Sequence, residues 1–377
     1  MKYRTMDIIK AVGREGGKAI RDTMRGAKNL ILRAMDKPLK PRLLVFEVTD
    51  ACNSRCVHCD IWRKAPTEDM LTSQEIEEML NNDLFADLEA ILITGGEPVL
   101  RRDLAEIILA MHRAAPRASM LLSTNGLLPQ RVANVVKFAL EHDIRIGVGV
   151  SLDGIGEEHD KIRGVKGNFN KVDQLLRELV ALRDNHEDKI GVSVGITLSE
   201  VTIHSFGEVR AYAERLNVNL MVQLYDEAPF YRHDTVDYNE ALPPNLRQLP
   251  KDDLIKATQA LPTSLHHEVL VKAVMGKTIK FPCFSLYTFC LLRCNGDIAP
   301  CLRFADMKVG NVREEYPSQI WHSPAAKEAR KTVKGCKGCL NTWVVGESYK
   351  AYYLPVLLFG IKHAPSLIKR IRQYGKL

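Results

Sequence analysis

Three cysteines lie within eight residues, Cys52, Cys56 and Cys59, in the run Thr49-Asp50-Ala51-Cys52-Asn53-Ser54-Arg55-Cys56-Val57-His58-Cys59. Iron–sulfur cubanes are held by cysteine thiolates, usually four of them. Three thiolates on one short loop can each bind an iron and leave the fourth iron open to a ligand, as catalytic metal sites stay one protein ligand short. Two other readings fit the same spacing: a zinc knuckle completed by His58, and three unrelated buried thiols. A second group follows far along the chain, at Cys283, Cys290, Cys294, Cys301, Cys336 and Cys339. Nine cysteines, odd in number and clustered, point to metal binding in a reducing cytoplasm rather than to disulfides.

A chain of 377 residues, 46% hydrophobic and 26% charged, has the composition of a soluble globular protein with room for a large core. No apolar h-region follows the basic N-terminus, and no apolar run reaches the roughly 18 residues of a membrane span. The formal charge of +7 is unevenly spread. Residues 1–42 carry twelve Lys/Arg against four Asp/Glu, and residues 350–377 carry six against none. The body between them is mildly acidic, which argues against a nucleic-acid groove there.

The elements that must position the cysteines show as alternating patterns. Short β-rich runs at Leu43–Val48, Ala90–Thr94, Ser119–Ser123, Arg145–Leu152, Ile190–Leu198 and Leu220–Leu224 alternate with helical periodicity near 73–82, 101–114, 129–142, 169–184 and 203–216. Thr72 and Glu75 form a capping-box signature. Six such units predict an α/β fold with a parallel sheet and a site at the C-terminal strand ends. Distinctive sequences fall at those ends: Gly95-Gly96-Glu97-Pro98, Ser123-Thr124-Asn125-Gly126, and Ser151-Leu152-Asp153-Gly154 followed by Arg163. Paired glycines admit a ligand to the backbone, Glu97 can accept from an ammonium group, and an arginine can grip a carboxylate.

This combination resembles the radical S-adenosylmethionine (radical SAM) enzymes over residues of about 43–225. The resemblance implies a partial (β/α)6 barrel of the TIM type, with a [4Fe–4S] cluster on Cys52, Cys56 and Cys59 and S-adenosylmethionine on the open iron. It implies that Gly95, Gly96, Glu97 and Pro98 form the turn at the methionine amine, that Ser123 and Asn125 lie near the ribose, and that Ser151, Asp153 and Arg163 lie near the ribose and carboxylate. One electron from the cluster would cleave the sulfonium to a 5′-deoxyadenosyl radical, with a flavodoxin or ferredoxin as donor. His58 departs from the aromatic residue usual before the third cysteine.

The order Cys283-x12-Gly296-x4-Cys301, Gly310-Asn311-Val312, Ile320-Trp321 and Cys336-x2-Cys339 resembles the SPASM extension, or its shortened Twitch form, found in a dehydrogenase of butirosin biosynthesis. That resemblance implies an auxiliary [4Fe–4S] cluster on Cys283, Cys301, Cys336 and Cys339, able to take the electron of a substrate radical. Cys290 and Cys294 read as buried thiols, with a cluster ligand or a radical-site thiol as alternatives; a zinc ribbon is the other reading of the module. Tyr225, Asp226 and Glu227, after the sixth strand, are candidate bases. The expected organisation is a basic extension (1–42), a core (43–225), a helical insertion (226–282), the auxiliary-cluster module (283–345) and a basic amphipathic tail (346–377).

The expected activity is oxidation of a small-molecule, sugar or lipid-linked substrate. A ribosomal-peptide maturase and a non-catalytic Fe–S or zinc protein are the alternatives. Both basic ends fit either a helix docked on the body or a peripheral membrane contact.

Overall fold

The computed structural model describes residues 21–186, 188–225, 228–231, 272, 281–336, 341–355, 357, 358 and 362. Six parallel strands run in sequence order: β1 (Leu43–Thr49), β2 (Ala90–Gly95), β3 (Ser119–Thr124), β4 (Ile146–Ser151), β5 (Ile190–Leu198) and β6 (Asn219–Leu224). Between them lie α2 (Ser73–Leu80), α3 (Leu104–Ala114), α4 (Pro129–Glu141), α5 (Glu157–Arg163), α6 (Asn168–Asn185) and α7 (Phe206–Arg215), while α1 (21–34) precedes the sheet. The sheet is an unclosed partial barrel. Thr72 caps α2 by accepting from the Glu75 N–H, and the Glu75 carboxylate returns the bond to the Thr72 N–H.

Strand β1 is buried at every position because both faces are covered. Leu44, Phe46 and Val48 face the helical layer with Ile91 and Ile93. Leu43 and Val45 face a second cluster with Leu92, Phe289 and Leu291.

The C-terminal module joins this sheet rather than standing apart from it. Strand β7 (Phe289–Leu292) pairs in parallel with the free edge of β1, Leu43 opposite Phe289. A hairpin at Gly296 then leads to antiparallel β8 (Asp297–Ala299) and β9 (Gly310–Asn311). Helices α8 (Pro317–His322), α9 (Pro324–Lys334) and α10 (Thr342–Tyr352) complete it. Glu47 of β1, almost wholly buried, ion-pairs with Arg293 just beyond β7.

The expected helices of the insertion, most of residues 226–282, lie outside the described residues, as do residues 1–20 and 363–377. Among the described residues no helix is long and apolar enough to cross a membrane. Helix α1 docks on the C-terminal module. Asn29 Nδ2 donates to the Ala351 carbonyl at 2.7 Å, Arg33 Nε to the Cys283 carbonyl at 2.7 Å, and Asp36 accepts from the Tyr287 hydroxyl at 2.6 Å.

Candidate active site

A cavity of about 250 Å³ opens at the C-terminal ends of all six parallel strands. Each strand end contributes: Gly95 and Gly96 from β2, Ser123 and Asn125 from β3, Ser151 from β4, Thr197 from β5, and Gln223 and Tyr225 from β6. Cys52, Cys56 and Cys59 line it from the loop after β1.

That loop is fixed by two neighbours. The Arg55 and Val57 N–H groups donate to the Arg163 and Ile162 carbonyls at 3.0 Å each, and so cap the C-terminal end of α5, whose last carbonyls lack helical partners. The Gly95–Gly96 turn presses on the other side. The Gly96 N–H donates to Thr49 O at 2.8 Å and the Glu97 N–H to Ala51 O at 2.7 Å. A Cβ on Gly96 would overlap the Ala51 carbonyl. Gly96→Ala is therefore expected to cost about 1–3 kcal/mol of stability, as overpacking does, and to lower the iron retained after reconstitution. Urea titration and iron quantification on one preparation check both effects.

Burial pushes the Cys52 and Cys59 thiols up to about 11 and about 12, so binding them to iron as thiolates must release protons. The Cys56 sulfur has Ser54 Oγ at 3.2 Å and Arg163 Nη1 at 3.7 Å, both suited to stabilising a thiolate. Asn125 Nδ2 stands 3.9 Å from Cys52 Sγ and donates to Asn53 Oδ1 at 2.8 Å. Among the described residues no three His, Cys, Asp or Glu side chains converge as ligands of a single ion would. Cubane thiolates, each on a different iron, need not.

The donor set fits a cluster with an anionic co-ligand: three thiols face the cavity, and Arg163 Nε is buried without a hydrogen-bond acceptor among the described residues.

Glu97 and Asp153, two of the expected ligand contacts, do not line this cavity. Glu97 lies outside the cavity lining, fully buried, with its carboxylate accepting from Thr124 Oγ1 at 2.8 Å and the Asn125 N–H at 2.7 Å. Burial still pushes it up to about 7. Glu97 thus ties the ends of β2 and β3 together, and the backbone of Gly95 and Gly96 is the part of the turn that meets the cavity. Pro98 lies behind it, opening a 3-10 turn. Asp153 is also buried behind the wall. Its Oδ2 is 2.7 Å from Arg163 Nη2 and 3.7 Å from His58 Nε2, and its Oδ1 accepts from the Thr197 N–H at 2.9 Å. Although burial acts to raise it, Arg163 and then His58 hold its carboxyl below the usual range. Asp153 therefore reaches the cavity only through its ion pair with Arg163, which lines it.

His159 supports the same segment, its Nδ1 accepting from the Asp153 N–H at 3.2 Å. Burial drives its pKa down to about 4, so the folded protein keeps it neutral. Its unfolded value is near 6.5, so between that value and about 4 the unfolded chain binds the extra proton. Stability from this group is complete above pH 6.5 and is lost as pH falls through that window, at no more than about 1.4 kcal/mol per pH unit. His159→Gln should remove that slope from urea-unfolding curves taken across the window.

Cys283, Cys301 and Cys336 come together in the C-terminal module. Burial pushes Cys301 up to about 12, with the Cys283 and Cys336 thiols adding to the rise. Arg303 Nη1 lies 3.9 Å from Cys336 Sγ. Cys339, like Asp226 and Glu227, falls outside the described residues. Cys290 is buried in the sheet core beside Leu44, which agrees with its reading as a structural thiol. Cys294 is also buried, near Glu47 and Asp50.

Sequence reading missed Leu302 and Trp343, which bring the C-terminal module into the cavity, and Tyr231. Thr197 and Gln223 were findable, since they end β5 and β6.

Residues 46–213 match the Radical SAM superfamily, and residues 283–340 match SPASM, an iron–sulfur cluster-binding domain. The chain is 34% identical over 184 residues to the Fe-coproporphyrin III synthase of Methanosarcina barkeri (strain Fusaro / DSM 804), covering 48% of this chain and 43% of that protein. It is 25% identical over 325 residues to the AdoMet-dependent heme synthase of the same organism, covering 79% and 87%. Among solved structures, Streptococcus suis SuiB bound to precursor peptide SuiA shares the fold, with a TM-score of 0.57 at 19% identity over 81% of this chain and 70% of that one.

Proposed function

From a chain that belongs to the radical SAM superfamily and carries a SPASM domain, we propose an enzyme that abstracts hydrogen from an unactivated carbon and oxidises its substrate. Its cofactors are S-adenosylmethionine, a [4Fe–4S] cluster and auxiliary iron–sulfur chemistry in the SPASM domain. When bound, these groups supply the electron that cleaves the sulfonium to a 5′-deoxyadenosyl radical and accept the electron left on the oxidised substrate. Cys52, Cys56 and Cys59 would hold the first cluster, and Cys283, Cys301, Cys336 and Cys339 the second. Arg163, aimed by Asp153, would hold the methionine carboxylate. Ser123, Asn125 and Ser151 offer hydrogen bonds to ribose hydroxyls. Of the candidate bases Tyr225, Asp226 and Glu227, Tyr225 lines the cavity and would take the substrate's proton. Ile61, Met221, Leu302 and Trp343 would exclude water from the radical.

The observation that carries this reading is that one cavity is lined both by the three clustered cysteines and by Leu302 and Trp343 of the second cysteine module. The substrate is a small molecule, a sugar or a lipid-linked precursor, and the reductant a flavodoxin or ferredoxin. The basic ends would draw the body to an anionic membrane and so favour a lipid-linked substrate. The structural likeness to a peptide-bound relative favours a second reading, a peptide maturase.

Anaerobic reconstitution tests the chemistry. About eight irons per chain and dithionite-dependent formation of 5′-deoxyadenosine are expected. A colourless zinc protein that leaves S-adenosylmethionine intact would sink it. Substrate-dependent loss of one hydride equivalent, read as a carbonyl product, separates oxidation from peptide cross-linking.

A further inference from the structure

Five of the eight large hydrophobic side chains that stand exposed among the described residues lie on two segments, which meet where Gly26 packs on Tyr352. Met24, Ile31 and Met35 belong to α1 and the turn that ends it, and Leu354 and Leu358 to the segment after α10. At 3.6 residues per turn, Met24, Ile31 and Met35 fall within about 40° of arc on α1. Gly26, Asn29 and Arg33 fall within about 60° on the opposite side. That opposite side is held down. Gly26 packs so closely on the Tyr352 carbonyl that a Cβ would overlap it, and Asn29 and Arg33 donate to the Ala351 and Cys283 carbonyls. The apolar stripe therefore cannot roll inward, and it stands 58–69% exposed.

The surrounding charge is positive. Arg21, Arg25, Lys28 and Lys37 are exposed, while the two acids of the segment are engaged, Asp22 with Arg25 at 2.9 Å and Asp36 with Tyr287 and Arg330. We propose that the outward face of α1, with Leu354 and Leu358, is a docking surface that inserts shallowly into an anionic lipid monolayer. An apolar stripe flanked on one side by Arg21, Arg25 and Lys28 fits that partner, since insertion buries the stripe while the cations meet phosphate headgroups.

The placement has a consequence for the substrate. Helix α10 carries Trp343 into the cavity near its first residue and clamps α1 through Ala351 and Tyr352 at its last turn. One helix of 11 residues, about 16 Å long by its rise, thus links the reacting cavity to the lipid-facing end. On the reading of the cavity proposed above, this selects a membrane-resident, lipid-linked substrate over a freely soluble one.

The test is flotation of the full-length, reconstituted protein with vesicles of phosphatidylcholine alone or mixed with phosphatidylglycerol. The wild type should float with the anionic vesicles only and be released by high salt. Ile31→Glu with Met35→Glu should lower the floated fraction by about tenfold, because both residues leave water on insertion. Equal flotation of variant and wild type, or no flotation of the wild type, overturns the docking surface. So does a light-scattering dimer that the variant dissolves without any lipid binding. Vesicle-free cleavage of S-adenosylmethionine, measured on the same preparations, should be unchanged by the variant. Its absence in the wild type would count against the chemistry and not against the surface.

Discussion

Alanine at Cys56 is expected to leave a folded chain that keeps about four of its eight irons and forms no detectable 5′-deoxyadenosine. Cys56 is the most buried of its three thiols, and its sulfur has both Ser54 Oγ and Arg163 Nη1 within reach. Removing it takes one of only three protein ligands from a cluster that already lacks a fourth, whereas the auxiliary site keeps its own thiols. Iron and sulfide quantification with chromatographic detection of 5′-deoxyadenosine, all under anaerobic conditions, reads both halves of the expectation. Cys290→Ala is the matched control. It removes a still more deeply buried sulfur, but one that sits in the β1–β7 pairing beside Leu44, so it should lower stability and leave both clusters and the cleavage intact. Full iron and full cleavage in the Cys56 variant would remove this loop from the mechanism.

The barrel strands were legible because each is a short β-rich run set off by turn residues, wholly buried in β1 and alternating between buried and half-buried positions in β4. Ile190–Leu198 needed no adjustment, and Ala90 and Ser119 begin their strands as expected. The partner of β7 was not legible. Phe289–Leu292 is four apolar residues whose local pattern fits a hairpin as well as a strand added to the edge of β1 more than two hundred residues away. Nor was α5, whose seven residues are too few for periodicity to show.

In the site, residue type and position along each strand could be read, but not the direction of the side chains. Glu97 and Asp153 sit at strand ends as polar residues free to meet a ligand would. Once buried, a carboxylate takes the nearest donors, here Thr124 and Asn125 for one and Arg163 and Thr197 for the other. Trp343 belongs to no motif in the sequence. Its entry into the cavity depends on where α10 packs, which no local pattern records.

Asp153→Ala is expected to cost about 3–5 kcal/mol in a chain without its clusters, because it leaves a buried guanidinium with no carboxylate. Asp153 is fully buried and Arg163 nearly so, at 2.7 Å. Burial acts to lower the Arg163 pKa, and Asp153, ahead of Cys56, raises it above its ordinary value. Removing both charges should cost less than the two single losses combined, since neither ion is then stranded. A double-mutant cycle of Asp153→Ala, Arg163→Ala and the pair, followed by urea unfolding, measures that coupling. Strict additivity would mean that the pair contributes nothing. Asp153→Asn should be milder than Asp153→Ala, because its amide oxygen can still accept from the Thr197 N–H. With the cluster bound, Arg163 gains a second anionic neighbour through Cys56, so the same Asp153→Ala change should cost less in the loaded protein. The loaded variant should nonetheless bind S-adenosylmethionine more weakly, since the guanidinium is no longer aimed from behind. A cost equal in the loaded and unloaded forms, with binding unchanged, would leave Arg163 as a structural ion partner and take the methionine carboxylate away from it.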